Sequence, residues 1–146
     1  MDKISETKWE ECRGLGRSFD YNRAEGEAET IAPDELIYLL VDIVSKNGNL
    51  LLDVGPEADG TVPTVQMKRL QALGAWLQLN GEAIYGTHPW KQAVGETSEG
   101  MKVRNTQKGS IVYAALLGQP KTATVTIKNL SPGAGAQIYL LGNQNR

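Results

Sequence analysis

The sequence predicts an α/β layer followed by an all-β segment, and three observations carry that reading. The run Asn49-Leu50-Leu51-Leu52-Asp53-Val54 is short, largely apolar and cut off by Gly55-Pro56, as a parallel strand buried under helices is. Just before it, Leu36, Leu39, Leu40, Ile43 and Val44 fall on one stripe of an amphipathic helix. After Gly86 the chain turns to short segments rich in Val, Ile, Thr and Tyr, separated by Gly, Lys-Gly, Pro and Ser-Pro-Gly turns, which is the pattern of antiparallel strands.

Taken in order, Trp9, Cys12 and Leu15 among polar residues, with Gly14 and Gly16, predict a short strand running into a glycine-containing loop. Residues 17–31 are polar, with Asp20, Asn22, Arg23, Glu25, Glu27 and Glu29, and form a long exposed connection of a length that usually has a function. Ala32-Pro33-Asp34-Glu35 starts the first helix, because proline suits the first helical position and carboxylates suit the positive end of the helix dipole. Lys46-Asn47-Gly48 stops it. The apolar strand then delivers Asp53, Glu57 and Asp59 to a loop of the kind that builds the active site in α/β barrels. Asp and Gly are equally what solvated turns use. A second helix is expected from Pro63 to Asn80, with Met67, Leu70, Leu73 and Leu77 on one face, Trp76 in the core and Gly81 as terminator. This βαβα unit has a right-handed crossover, and its two strands need further strands to cover their edges. Residues 101–106, 110–117, 122–127 and 137–141 are the expected antiparallel strands, with Thr122, Thr124 and Thr126 on a wet face and Ala123, Val125 and Ile127 on a buried one. The division falls near Pro89, giving parts 1–88 and 89–146, with His88 in the turn between them and Trp90 packed between the two.

Composition narrows the function classes. The chain has 146 residues, 40% hydrophobic and 22% charged, which is ordinary globular composition and not that of a disordered segment. A net charge of -2 with Lys and Arg scattered along the chain gives no electrostatic footprint for nucleic acid. Apolar runs are far shorter than the roughly 20 residues that cross a bilayer, so no membrane association is expected, and Met1 to Glu6 lacks the apolar core of a signal peptide. One cysteine, Cys12, and one histidine, His88, exclude an internal disulfide and a Cys/His zinc site.

Three segments carry a family resemblance: Trp9-Glu10-Glu11-Cys12, then Gly48-Asn49-Leu50-Leu51-Leu52-Asp53-Val54-Gly55-Pro56 with Asp59-Gly60, then Gly74-Ala75-Trp76-Leu77 with Asn80 to Thr87. In this order they resemble the C-terminal part of the family 29 glycoside hydrolases, the α-L-fucosidases, over about Lys8 to Trp90, and more loosely over the β segment that follows. The resemblance implies the last two βα units of a (β/α)8 barrel followed by part of an antiparallel β-sandwich. It implies a retaining exo-glycosidase that removes terminal α-L-fucose from glycans with one carboxylate nucleophile and one carboxyl acid/base, and no metal or organic cofactor. It also implies a periplasmic or secreted bacterial setting.

The family's nucleophile and fucose-binding histidines belong to earlier barrel strands, so a fragment inactive by itself is expected, its missing strands supplied by another chain or its edges covered in a homo-oligomer. Within this chain, Glu10 beside Trp9 matches a Trp-Glu pair proposed as acid/base in some members. A buried carboxyl beside an indole would keep its proton, as a general acid must. The other reading of Glu10 is a structural carboxylate paired with Arg13 or Arg17, with Glu11 as its solvated neighbour. Asp53, where the family commonly has Asn, and Trp9 are the expected substrate-binding residues; Asp20 stands where Gly is common. Trp9, Phe19 and Tyr21 form either a sugar platform or, as is more usual for aromatics near a strand, part of the core. The non-enzymatic alternative is a β-sandwich module that binds glycans or serves as a scaffold.

Overall fold

The computed structural model describes residues 3–142. Two strands, β1 (Trp9–Gly14) and β2 (Gly48–Asp53), pair in parallel from Trp9↔Gly48 to Gly14↔Asp53, joined through helix α1 (Pro33–Ser45). Helix α2 (Thr64–Asn80) follows β2 and ends in a 3₁₀ turn, Gly81–Ala83. Strands β3 (His88–Glu96), β4 (Lys102–Lys108) and β5 (Ile111–Leu116) form a separate antiparallel sheet in that order. The expected succession of an α/β layer and an antiparallel sheet is therefore what the chain forms.

Helix α1 opens with Pro33 in its first turn and Asp34 and Glu35 behind it, and the Leu36 amide donates to the Ala32 carbonyl at 2.9 Å. It ends where Asn47 takes a left-handed conformation (φ 74°), a geometry that asparagine tolerates better than most residues. Gly48 follows because nothing larger fits: a Cβ there would lie 2.6 Å from the Trp9 ring and 2.7 Å from an Ile43 methyl. Leu36 and Ile43 are buried as the stripe requires, but so are Val41 and Ser45. Their burial follows from position. The helix packs on β2 and α2 and also on β3 and β4, so more than one stripe leaves the solvent.

The core runs through Leu15, Leu36, Val41 and Ile43 into Ile84, Ala93 and Val103. A charged node crosses between α1 and the antiparallel sheet: Asp42 accepts from Lys46 at 2.6 Å and from Arg104, and both cations are buried. Burial works against ionisation of Asp42, yet the hydrogen bonds from Lys46 and Arg104 prevail and hold its carboxyl below the usual range.

The β region departs from expectation at three places. His88, Pro89 and Trp90 do not form a turn but open β3, whose register against β4 shifts between Pro89 and Val94. Residues 122–127 do not form a strand. Only Ile127 bridges to Thr97, flanked by the Ser98 amide donating to the Thr126 carbonyl and the Lys128 amide donating to the Glu96 carbonyl, each at 2.9 Å. Residues 137–141 form no strand either, and Ile138 and Leu140 are 80% and 76% exposed. Strand propensity is realised by a paired, half-buried neighbour, and neither segment has one along its length among the described residues.

Candidate functional site

Alternation along the parallel pair sorts the candidate residues. The Cβ direction at Gly48 meets Trp9 and Ile43, so Trp9, Glu11 and Arg13 with Gly48, Leu50 and Leu52 face the helices. Glu10, Cys12 and Gly14 with Asn49, Leu51 and Asp53 lie on the opposite face, where Glu10, Cys12, Asn49 and Leu51 are exposed. The Trp9 indole is held in the helix layer, its Nε1 donating to the Lys46 carbonyl at 3.0 Å. Glu10 is exposed and points to the face opposite the indole, and its carboxylate makes no hydrogen bond or ion pair with Arg13, Arg17 or any other described residue. The expected buried carboxyl beside an indole is thus not formed, because neighbours in a strand point to opposite faces.

Asp53, half-buried, shares the Glu10 face but pairs with Gly14 at the other end of the strands. Four residues of strand separate it from the level of Glu10, about 13 Å at the usual rise. The three candidates are not gathered at one point. Phe19 and Tyr21 are exposed, which excludes the core role for both. His88 is exposed, with Nδ1 3.0 Å from the Pro89 carbonyl, and Lys91 stands 5.6 Å over the half-buried Trp90 ring.

What the strands do gather are the two loops leaving their C-terminal ends. In the first, the Glu25 carboxylate accepts from the Ser18 amide at 2.7 Å, and Asn22 donates from its Nδ2 to the Ser18 hydroxyl at 3.0 Å. The hydrogen bonds from Ser18 are the main reason that Glu25 lies below its ordinary range. In the second, Asp59 accepts from both the amide and the hydroxyl of Thr61, at 3.0 and 2.7 Å, which lowers its carboxyl and makes it the turn former that its sequence context suggests. Glu57 lends its backbone to this turn and leaves its carboxylate without a partner among the described residues.

The loops are joined from beneath. Gly55 passes under residues 20–21 so closely that a Cβ would lie 2.2 Å from the Tyr21 nitrogen. Its amide donates to Oε1 of buried Gln66 at 3.1 Å. Buried Arg69 donates through Nε to the Ile31 carbonyl at 2.7 Å and pairs with Glu27. Between the loops lies a cavity of about 150 Å³. A wider trough of about 720 Å³, lined by Glu11, Arg13, Arg17, Phe19, Glu29 and Glu35 among others, runs beside β1. Sequence reasoning missed Gln66 and Arg69 as loop supports; the one available signal was two polar residues three apart at helical spacing. Among the described residues no group of three or more potential metal ligands occurs, and no helix is long and apolar enough to cross a membrane.

This arrangement matches known proteins closely. The α-L-fucosidase family model matches residues 1–82. Human plasma α-L-fucosidase is 36% identical over 138 residues, covering 93% of this chain. The chain belongs to the α-L-fucosidase family. Among solved structures, the Thermotoga maritima α-fucosidase in complex with fucose is 45% identical with a TM-score of 0.86, over 90% of this chain and 31% of its own. The α-L-fucosidase of Branchiostoma floridae is 37% identical over 95% of this chain. This fucosidase-family chain spans about 30% of the length of the human relative and 31% of the lancelet one. Membership in a glycoside hydrolase family is thereby established, on a chain that carries the C-terminal part.

Proposed function

We propose that the chain is the C-terminal portion of a retaining exo-α-L-fucosidase acting on fucosylated glycans, with residues 1–88 the end of the catalytic barrel and residues 89–146 part of a β-sandwich. The observation that carries this is the match to the Thermotoga maritima enzyme at 45% identity and TM-score 0.86 over nine-tenths of the chain. In such a reaction a carboxylate attacks the anomeric carbon while an acid protonates the departing oxygen, and water then releases the sugar with the same group acting as base. This chain contributes the loops at the C-terminal ends of its two strands, with Asp53 and the aromatic Phe19 as the groups nearest such a mouth. Glu10 serves as acid/base in this proposal, on the face opposite the helices that a closed barrel would turn inward. Trp9 acts from the helix layer, and supports substrate binding by fixing the strand that carries Glu10.

The missing barrel strands would pair along the free edges of β1 and β2, and the chain alone does not turn over because it lacks the nucleophile. The test is release of nitrophenol from nitrophenyl α-L-fucoside. The chain by itself gives none, and covalent joining to the N-terminal barrel portion of the Thermotoga maritima enzyme restores it. Turnover by the chain alone overturns the fragment reading, and a soluble, folded fusion without turnover overturns the assigned activity. In the fusion, Glu10→Gln lowers kcat by about 10²–10⁴-fold for a poor leaving group and much less for dinitrophenol.

A further inference from the structure

The cavity between the two loops remains without a role once the strands are assigned. It lies where α/β folds place ligands, outside the carboxyl ends of parallel strands, and its floor is fixed by Gln66 through the Gly55 amide at 3.1 Å. Its volume of about 150 Å³ holds about five waters, room for one sugar ring and not for two. Tyr21, Asn22, Arg23, Glu25, Glu57 and Gln66 line it.

That set reads as a hydroxyl binder. Two carboxylates against one guanidinium disfavour an anion, and the guanidinium in the same small space disfavours a cation. A neutral polyol satisfies both signs at once, since each hydroxyl donates to a carboxylate and accepts from a guanidinium or an amide. Tyr21, 39% exposed, adds an aromatic surface for the C–H face of a ring. The carboxylate of Glu57 and the guanidinium of Arg23 have no partner among the described residues, so neither must give up a bond to engage a ligand. From this geometry we infer that the cavity is a subsite for one neutral pyranose residue of the substrate glycan, resting on the fucosidase reading above for the identity of the glycan.

Saturation-transfer NMR on the full 146-residue chain tests this with L-fucose, D-galactose and N-acetyl-D-glucosamine as separate probes. At least one pyranose binds with millimolar affinity, and Glu57→Gln and Arg23→Ala each raise its Kd about tenfold, the worth of one charge-assisted hydrogen bond. Both side chains are exposed, so the variants keep the fold, which unchanged thermal transitions verify. The strongest probe tells whether the residue held is the terminal fucose or a sugar behind it. No saturation transfer from any of the three, or affinities that both variants leave unchanged, overturns the subsite. Turnover by the barrel fusion is read separately, so loss of the subsite leaves the fucosidase reading standing, and the reverse.

Discussion

The two helices follow their strands in the same way and do different work. Helix α1 sits between β2 and the antiparallel sheet and buries Leu36, Val41 and Ile43, so its contribution is core. Helix α2 packs on α1 and on the 3₁₀ turn, and its buried residues are Gln66 and Arg69, whose bonds run to the backbone of the two loops. An apolar helix face fixes where the sheet lies; a polar one fixes where the loops lie. Stability and site geometry are thus held by separate helices in this chain, a division that breaks if substitutions in α1 disturb the loops as much as those in α2.

The largest effect belongs to α1. Asp42→Ala leaves Lys46 and Arg104 as buried cations without their shared carboxylate, and breaking such a pair costs about 3 kcal/mol by chemical denaturation. The sign with pH follows from the lowered carboxyl. Asp42 is more acidic folded than unfolded, so its contribution is complete above the unfolded value of 3.8 and is lost as pH falls from there through the folded one. The parent therefore loses stability below about pH 4 more steeply than Asp42→Asn does. An equal acid slope in both breaks the node as the link between helix and sheet.

Next comes the junction at which α1 hands over to β2. Gly48→Ala forces a methyl to 2.6 Å from the Trp9 ring, and overpacking of this kind costs about 2 kcal/mol. In a Trp9→Ala background part of that cost disappears, because the indole that collides has been removed, and the Ile43 methyl at 2.7 Å keeps the rest. Additive effects in the double-mutant cycle would show that the indole is not what requires a glycine at position 48.

Legibility in the sequence follows the same divide. Helix α1 was readable because a core-facing helix repeats apolar residues at helical spacing, and Leu36 and Ile43 obey it. Helix α2 was readable in extent but not in orientation: the apolar pattern places Met67 inside, yet Met67 is 39% exposed while Gln66 and Arg69 are buried. Hydrophobic periodicity cannot register a face chosen by hydrogen bonds to a distant backbone. The same blindness hid β3, whose Pro89 and Gly95 punctuate the sequence as turns do, and overstated residues 122–127, whose alternation is real but paired only at Ile127, and residues 137–141, which form no strand. At the site, the chain order of Glu10 and Trp9 was plain, whereas their opposite facing needed the register of β1 on β2.

The smallest effect on stability separates the helices most sharply. Gln66→Leu keeps the bulk of the side chain and takes the acceptor from the Gly55 amide, which residues 20–21 cover from above. An orphaned buried amide costs about 1 kcal/mol or somewhat more, so the denaturation midpoint moves little. Amide exchange at Gly55 should nevertheless rise at least tenfold, with Tyr21 following because it rests on the same glycine, while exchange in Val41 to Val44 stays at the parent rate. If exchange rises uniformly through α1 as well, Gln66 is one more part of a single cooperative core and the division of labour between the helices does not hold. If it rises only at the loops, helix α2, whose buried residues are Gln66 and Arg69, is set in place by what it holds and not by what it hides from water.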